Sequence, residues 1–399
     1  MSTVANSLRS DAKVIGLVSV AHLISHFFHL VAAPFLVVLK DEFGVSFAAL
    51  GFAVSAYYVV SGFLQTPAGF LVDRLGGKTV LVGGLVLGSI GTAIIGLAPS
   101  YAWVVLGFIV AGAGNSAFHP ADMAILNAKV EPRRLGPAFS MHGVGGSLGW
   151  VAAPVFGTVA GNALGWRGAL VLAGAIGLAA ALVIAAQREL YMERPAQRAH
   201  AEGDSLAANL KLLAAPEVLL CFAFFAALCV ALVATQTFSV ATMISLYGVQ
   251  QATASAILTA YLLGGTAGIF AGGFVAMRFP RHGLTTVAGV AVAMVFVFLL
   301  ATGALALPML AVAMTVAGFF LGAVGPSRDI IIREVTPVHA RGKVYGFVYS
   351  GLDLGAAIAP AIYGWFLDDG QPRLVFLGAG LALLLCVVIL TRLAGWKDM

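Results

Sequence analysis

Gly69-Phe70-Leu71-Val72-Asp73-Arg74-Leu75-Gly76-Gly77-Lys78 is a polar interruption between two stretches of nearly pure hydrocarbon, 47–71 and 79–98. Each stretch supplies the ~20 apolar residues that a helix needs to cross a bilayer. A turn this short makes the two helices antiparallel neighbours. Asp73, Arg74 and Lys78 then sit at the membrane surface, where charge is tolerated. Gly69 reads as a place of close backbone approach, and Gly76 and Gly77 as the source of the φ freedom a tight turn needs. A solvated basic turn accounts for Arg74 and Lys78. It leaves unexplained the pattern of Gly, Asp, Arg and Gly at fixed spacing.

The rest of the chain has the same character. Sixty per cent of its residues are hydrophobic and 10% charged, and its mean hydropathy is +0.99. Soluble domains carry about 25% charged residues. Glycine, at 48 of 399 residues, suits helices packed closely in lipid. Cys221, Cys229 and Cys386 fall inside apolar runs with neither metal-site nor disulfide spacing. The net charge of +5 is scattered over short loops, so nucleic acid is not an expected partner. The first apolar run, 14–39, is too long for a signal peptide and reads as a spanning helix. No Gly-x4-Gly-Lys-Ser/Thr phosphate loop is present, which excludes ATP drive by this chain.

The expected architecture is an all-α polytopic membrane protein. It has twelve transmembrane helices at 14–39, 47–71, 79–98, 101–127, 137–161, 166–186, 216–247, 253–277, 283–303, 308–332, 344–366 and 373–393. Eighteen of the 22 Lys and Arg fall on one side if the amino terminus is cytoplasmic. Only Lys40, Arg167 and Arg373 fall outside, and Arg328 lies within a span. Cytoplasmic loops collect basic residues, so both termini are placed in the cytoplasm. The polar stretch 187–215 separates two six-helix bundles, 1–187 and 216–399, with 188–215 as a cytoplasmic linker. A short surface helix over 205–213 is compatible with its charge pattern. The halves repeat: Gly136, Gly149 and Pro154 return as Gly342, Gly355 and Pro360, at a constant offset of 206.

The opening stretch resembles the signature GxLaDrxGrkxxl of the major facilitator superfamily, found between its second and third helices. Gly77 replaces the first of the closing basic pair. Twelve spans and parallel six-helix repeats are that family's layout as well. The resemblance covers essentially the whole chain. It implies that Asp73 docks on the adjoining end of the eleventh helix in the outward-open state. It also implies that the first, fourth, seventh and tenth helices line a central cavity. The fourth, fifth, tenth and eleventh would close its cytoplasmic end.

Ionisable residues inside spans are costly and default to functional candidates. The first span carries His22, His26 and His29 on one face. The fourth carries His119 and Asp122, the fifth His142, the tenth Arg328 and Asp329, and the eleventh Asp353. The seventh adds neutral Thr235, Gln236 and Thr237. A buried histidine is as readily a satisfied packing residue as a ligand, and His29 and His142 stand open between these readings. The histidine stripe by itself offers no complete metal set, so no metal site is expected. The offset of 206 carries Asp122 onto Arg328 and predicts that the two pair when the cytoplasmic mouth is closed and separate when it opens, with Asp329 as competitor for Arg328.

Gly114-Asn115-Ser116-Ala117-Phe118-His119-Pro120-Ala121-Asp122 and the following Ser140-Met141-His142-Gly143-Val144-Gly145-Gly146-Ser147-Leu148-Gly149 are similar to the fosmidomycin-resistance branch of the superfamily. That likeness implies proton-driven export of a small, anionic or drug-like organic compound, as a monomer in a bacterial inner (cytoplasmic) membrane. The implied partners are substrate, protons and lipid, with a transmembrane proton gradient in place of any cofactor. The Arg that many proton-coupled members carry early in the fourth span is absent from Val104-Val105-Leu106-Gly107. Ala153-Pro154 stands where antiporters of the family have Gly-Pro. The alternative is proton-symport import of an organic anion or metabolite. Metal-ion transport and intramembrane catalysis rank below both, and the chain is not expected to be an enzyme.

Overall fold

The computed structural model describes residues 2–131, 134–190, 211–335 and 341–394. Its regular structure there is helical throughout. The helices are α1 (Ser2–Leu30), α2 (Leu36–Phe43), α3 (Phe47–Leu75), α4 (Gly77–Gly96), α5 (Tyr101–Asn115), α6 (Phe118–Lys129) and α7 (Leu135–Ala185). After the linker come α8 (Pro216–Leu232), α9 (Ser239–Tyr247), α10 (Gln251–Arg278), α11 (His282–Ala301), α12 (Leu307–Ala323), α13 (Gly325–Val335), α14 (Arg341–Asp368) and α15 (Arg373–Ala394). Ten segments among the described residues are long and apolar enough to cross a membrane. One of them, Pro137–Ala185, is 49 residues long and breaks at Gly165, whose φ of 70° and ψ of 169° are not helical. It therefore supplies two of the expected spans. With α14, the arrangement is consistent with twelve.

Four of the expected spans are interrupted, and they are the first, fourth, seventh and tenth. The first breaks over Val31–Phe35, where Pro34 is the middle residue of a 3-10 turn. The fourth breaks at Ser116 and Ala117 between α5 and α6. The seventh passes through a π-helical turn, Val233–Thr237. The tenth breaks at Val324. Breaks in spanning helices follow proline, glycine or π-bulges, and here each lies beside polar residues singled out in the sequence.

By contacts the chain divides into two units, Met1–Val45 with Ala56–Arg198, and Ser46–Ser55 with Ala199–Met399. The first ten residues around the start of α3 are thus grouped with the second unit, whereas the sequence assigned all of 47–71 to the amino-terminal bundle. The attachment is specific. Phe47 and Ala48 each donate their backbone N–H to the carboxylate of Asp368, at 2.7 Å.

In the opening signature, α3 ends at Leu75 and α4 starts at Gly77. Only Gly76 takes a positive φ, 84°. Gly77 is the first residue of α4, so the left-handed freedom expected of both glycines is used by one. Gly69 does not make the close approach read from the sequence, because a Cβ there would meet nothing within 4 Å. It instead borders a cavity of about 430 Å³ with Gln65, Thr66, Phe70, Pro120 and Ala124. Arg74 is exposed and Lys78 half-buried, while the side chain of Asp73 lies outside the described residues. So does most of the linker, including all but the end of the helix expected over 205–213.

Two of the three arginines and lysines assigned to the outer face do one job, once per half. Arg167 donates from Nη1 to the carbonyl of Ala98, just past α4, at 2.7 Å, and from Nη2 to Glu42 at 3.0 Å. Arg373, 206 residues on, donates from Nη2 to the carbonyl of Thr302, just past α11, at 2.6 Å. Carbonyls at a helix carboxyl end lack partners within the helix, and a cation there also meets the negative end of the dipole.

Candidate functional site

The polar residues of the first unit converge where α1, α6 and α7 meet. Their approach depends on Gly145, Gly146 and Gly149 of α7. A Cβ on Gly146 would stand 2.6 Å from His26 Nδ1, 2.7 Å from His26 Cε1 and 2.8 Å from His22 Cδ2. One on Gly145 would stand 2.5 Å from the Ser19 carbonyl. The glycine-rich run of the fifth span is therefore the seam that admits the histidine stripe of α1.

At the centre is Asp122, fully buried. Its Oδ2 is 3.0 Å from His142 Nε2 and 3.5 Å from His22 Nδ1. The second contact is not a hydrogen bond, since His22 Nδ1 has no hydrogen-bond partner; Asp122 Oδ1 has none either. His22 and His142 are each 4% exposed, and their rings stack at 3.7 Å. His119 lies 5.4 Å from His22, ring to ring, but is itself exposed. The group thus runs from an exposed imidazole through two buried ones to a buried carboxyl.

His26 and His29 continue the stripe with different roles. His26 lies 4.2 Å from His22 and stacks on Trp150 at 4.3 Å and 15°. His29 Nε2 is 2.8 Å from Asn115 Oδ1, a carbonyl oxygen, so this nitrogen carries the proton. Ser25 donates to the same oxygen at 2.9 Å, and Asn115 Nδ2 donates to Ser61 Oγ at 2.8 Å. His29 is therefore a satisfied cross-helix residue in this structure, and His142 a member of the buried group. Asn115 and Trp150 were not anticipated. Asn115 stood in the quoted motif but was not singled out there, although its amide carries the same polarity inside a span that drew attention to Gln236.

The second unit holds Arg328 over the ring of Phe225, 4.8 Å from its centroid. Its Nε and Nη2 both reach Asp329 Oδ1 at 2.9 Å, and the hydroxyl of Tyr349 donates to the same oxygen at 3.1 Å. Adjacent helical residues start ~100° apart, but the long arginine side chain bends back to its neighbour. The pairing of Arg328 with Asp122 was expected of a state closed on the cytoplasmic side; in this structure Asp329, named as the competitor, holds the guanidinium. Asp353 lies one helical turn from Tyr349 on α14, half-buried near Cys229. Gln236 sits in the π-helical turn and, with Thr235 at 3.0 Å, bonds the Tyr261 hydroxyl.

The repeat explains this division. Gly351 of α14 packs on the Phe222 carbonyl as Gly145 packs on that of Ser19, which sets Phe225 in the place of His22. Arg328 holds the place of Asp122. One slot, used twice, contains an acid against an imidazole in the first unit and a guanidinium against a phenyl ring in the second.

The family profile described as Major Facilitator Superfamily matches residues 18–255 and 227–397. Similar proteins include the multidrug resistance protein B homolog of Mycobacterium tuberculosis, 28% identical over 36% of this chain and 27% of that one. The fosmidomycin resistance protein of Escherichia coli is 26% identical over 38% and 37% of the two chains. The hexuronate transporter of Bacillus subtilis is 25% identical over 85% and 83%. The match covers only 27% and 37% of the length of the first two. A bacterial homolog of the human lysosomal transporter Spinster, solved in an inward-facing, unoccupied conformation, superposes with a TM-score of 0.75. It is 18% identical, over 97% of this chain and 96% of that one. The paired breaks, the repeated slot and the profile spanning both halves agree: this chain belongs to the Major Facilitator Superfamily of membrane transporters.

Proposed function

We propose that the protein is a proton-coupled secondary transporter of a bacterial inner membrane, both termini cytoplasmic, which exports a small organic compound or drug by alternating access. One observation carries the coupling. A fully buried carboxyl, Asp122, has histidines for its ionisable neighbours, and one of these, His119, reaches the exposed surface. A buried charge without full compensation is costly, so such a group binds a proton when its partners change. Chains of Asp and His inside membranes are the usual material of proton relays. Imidazoles exchange protons within the physiological range. Export is supported by the resistance proteins among the similar sequences. Import of an organic anion by proton symport is the second reading, because the hexuronate transporter matches along most of both chains. Arg328 suits an anion in either direction.

Inside-out and right-side-out vesicles, given an imposed pH gradient and a panel of phosphonates and carboxylates, separate the two directions. Asp122→Asn is expected to abolish gradient-driven accumulation while leaving energy-independent exchange. Accumulation at the parental rate in that variant would remove Asp122 from the coupling.

A further inference from the structure

Buried polar atoms in folded proteins almost always have partners, and each exception asks for an explanation. Two such atoms belong to the same buried group, Nδ1 of His22 and Oδ1 of Asp122. The other carboxylate oxygen, Oδ2, already lies 3.0 Å from His142 Nε2 and 3.5 Å from His22 Nδ1. Nitrogen, nitrogen and oxygen come from three different helices, α1, α7 and α6, and lie within 4.8 Å of one another. We propose that His22, Asp122 and His142 form a binding site for a divalent transition-metal ion of the zinc type.

The donor chemistry selects the ion. Two imidazoles and a carboxylate suit zinc, cobalt and nickel, whereas calcium and magnesium take oxygen donors and copper(I) takes sulfur. The cysteines are all in the second unit, buried in α8 and α15, so none belongs to this set. Three protein ligands with one position left open is an arrangement zinc commonly adopts. With bonds of about 2.0–2.1 Å, a tetrahedral ion holds its ligand atoms about 3.3–3.4 Å apart. The adjustment asked of the side chains is therefore on the order of an ångström. Two imidazoles that share a tetrahedral ion diverge from it, so the His22–His142 stack at 3.7 Å has to open on binding, with His26 at 4.2 Å and Gly146 also against His22. The stripe on α1 could not supply this set from one helix; the carboxylate and second imidazole arrive from α6 and α7.

The inference uses the same buried group as the proton reading but is independent of what is carried or in which direction. The test is titration of tag-free protein in detergent with Co2+. The parent is expected to take up one ion per chain with the strong visible ligand-field bands of four-coordinate cobalt, displaced by Zn2+. His22→Ala and Asp122→Asn should each weaken binding by about tenfold or more, while His282→Ala at the start of α11 should leave it intact. His142→Cys should keep the ion and add a thiolate-to-cobalt charge-transfer band, a signature that a misfolded variant could not give. A parent showing only the weak spectrum of six-coordinate cobalt overturns the proposal, and so do bands that persist unchanged in His22→Ala and Asp122→Asn. Gradient-driven transport measured with chelator present separates the two readings. Coupling without cobalt binding overturns the metal site alone, and cobalt binding without coupling overturns the proton reading alone.

Discussion

Asp122 concentrates the energetics of the first unit, because a carboxyl with no exposure and a single hydrogen bond depends on its histidines. Removing one partner of a buried charged pair typically costs ~3–5 kcal/mol, mostly by stranding the other. His142→Ala is therefore expected to lower stability in detergent by up to that amount, and adding Asp122→Asn should recover much of the loss. Thermal unfolding of the four proteins of that cycle is the measurement; simple additivity would show that the two side chains are not coupled. Glycine positions on α7 make a second contrast. Gly146→Ala forces a methyl group against the rings of His22 and His26, an overpacking that costs ~1–3 kcal/mol. Gly143→Ala, three residues away, meets nothing within 4 Å and gains ~0.5–1 kcal/mol of helix propensity. Melting temperatures should thus move in opposite directions.

At the scale of elements, the start of α3 shows how a helix can be completed by a residue far along the chain. Its first N–H groups have no carbonyl partners within the helix. Asp368, the last residue of α14, accepts two of them and places negative charge at the positive end of the dipole. Ser46 Oγ accepts a third N–H, that of Ala49, at 3.0 Å. Asp368→Ala should cost ~1 kcal/mol, the usual worth of an amino-terminal cap, with Asp368→Asn in between. Hydrogen exchange should accelerate at Phe47 and Ala48 in the alanine variant; unchanged protection there would mean that Ser46 alone suffices. Broken helices follow a similar logic. Non-helical backbone at membrane depth persists where protein or a cavity satisfies it, and π-helical turns gather at functional sites. The π-helical turn around Gln236 and the break at Ser116 both fit that pattern.

For the whole molecule, the predicted topology rests on the distribution of Lys and Arg, and Arg167 and Arg373, the two exceptions it assigns to the outer face, have local partners there. Each is bound to a helix-end carbonyl, so its position is fixed by local bonding. Both termini are predicted to be cytoplasmic. The three native cysteines are buried, so single cysteines introduced at residues 5 and 397 should label against a low background. Impermeant reagent should reach them in inside-out vesicles and not in right-side-out ones. The reverse pattern would invert the orientation.

Spans, repeat and family were legible in the chain because they depend on hydrophobic length, charge placement and fixed spacing, which are local properties. The opening stretch is the clearest instance: a helix, one glycine turn and a second helix follow from a dozen residues. The same stretch shows the boundary, since Gly69 was expected to pack closely and instead borders a cavity. Membership of a site is a matter of distance between helices, and spacing along one helix does not contain it. His22, His119, Asp122 and His142 were marked by the cost of polarity in lipid, but His142, like His29, stood open between packing and function, and only the contacts show that Asn115 holds His29 while Asp122 holds His142. Nor could the 206 offset say that Arg328 turns to its own neighbour, because that choice depends on how a long side chain lies over Phe225. Tertiary packing decided these things, by bringing three helices together along a seam of glycine and leaving one carboxylate between two imidazoles.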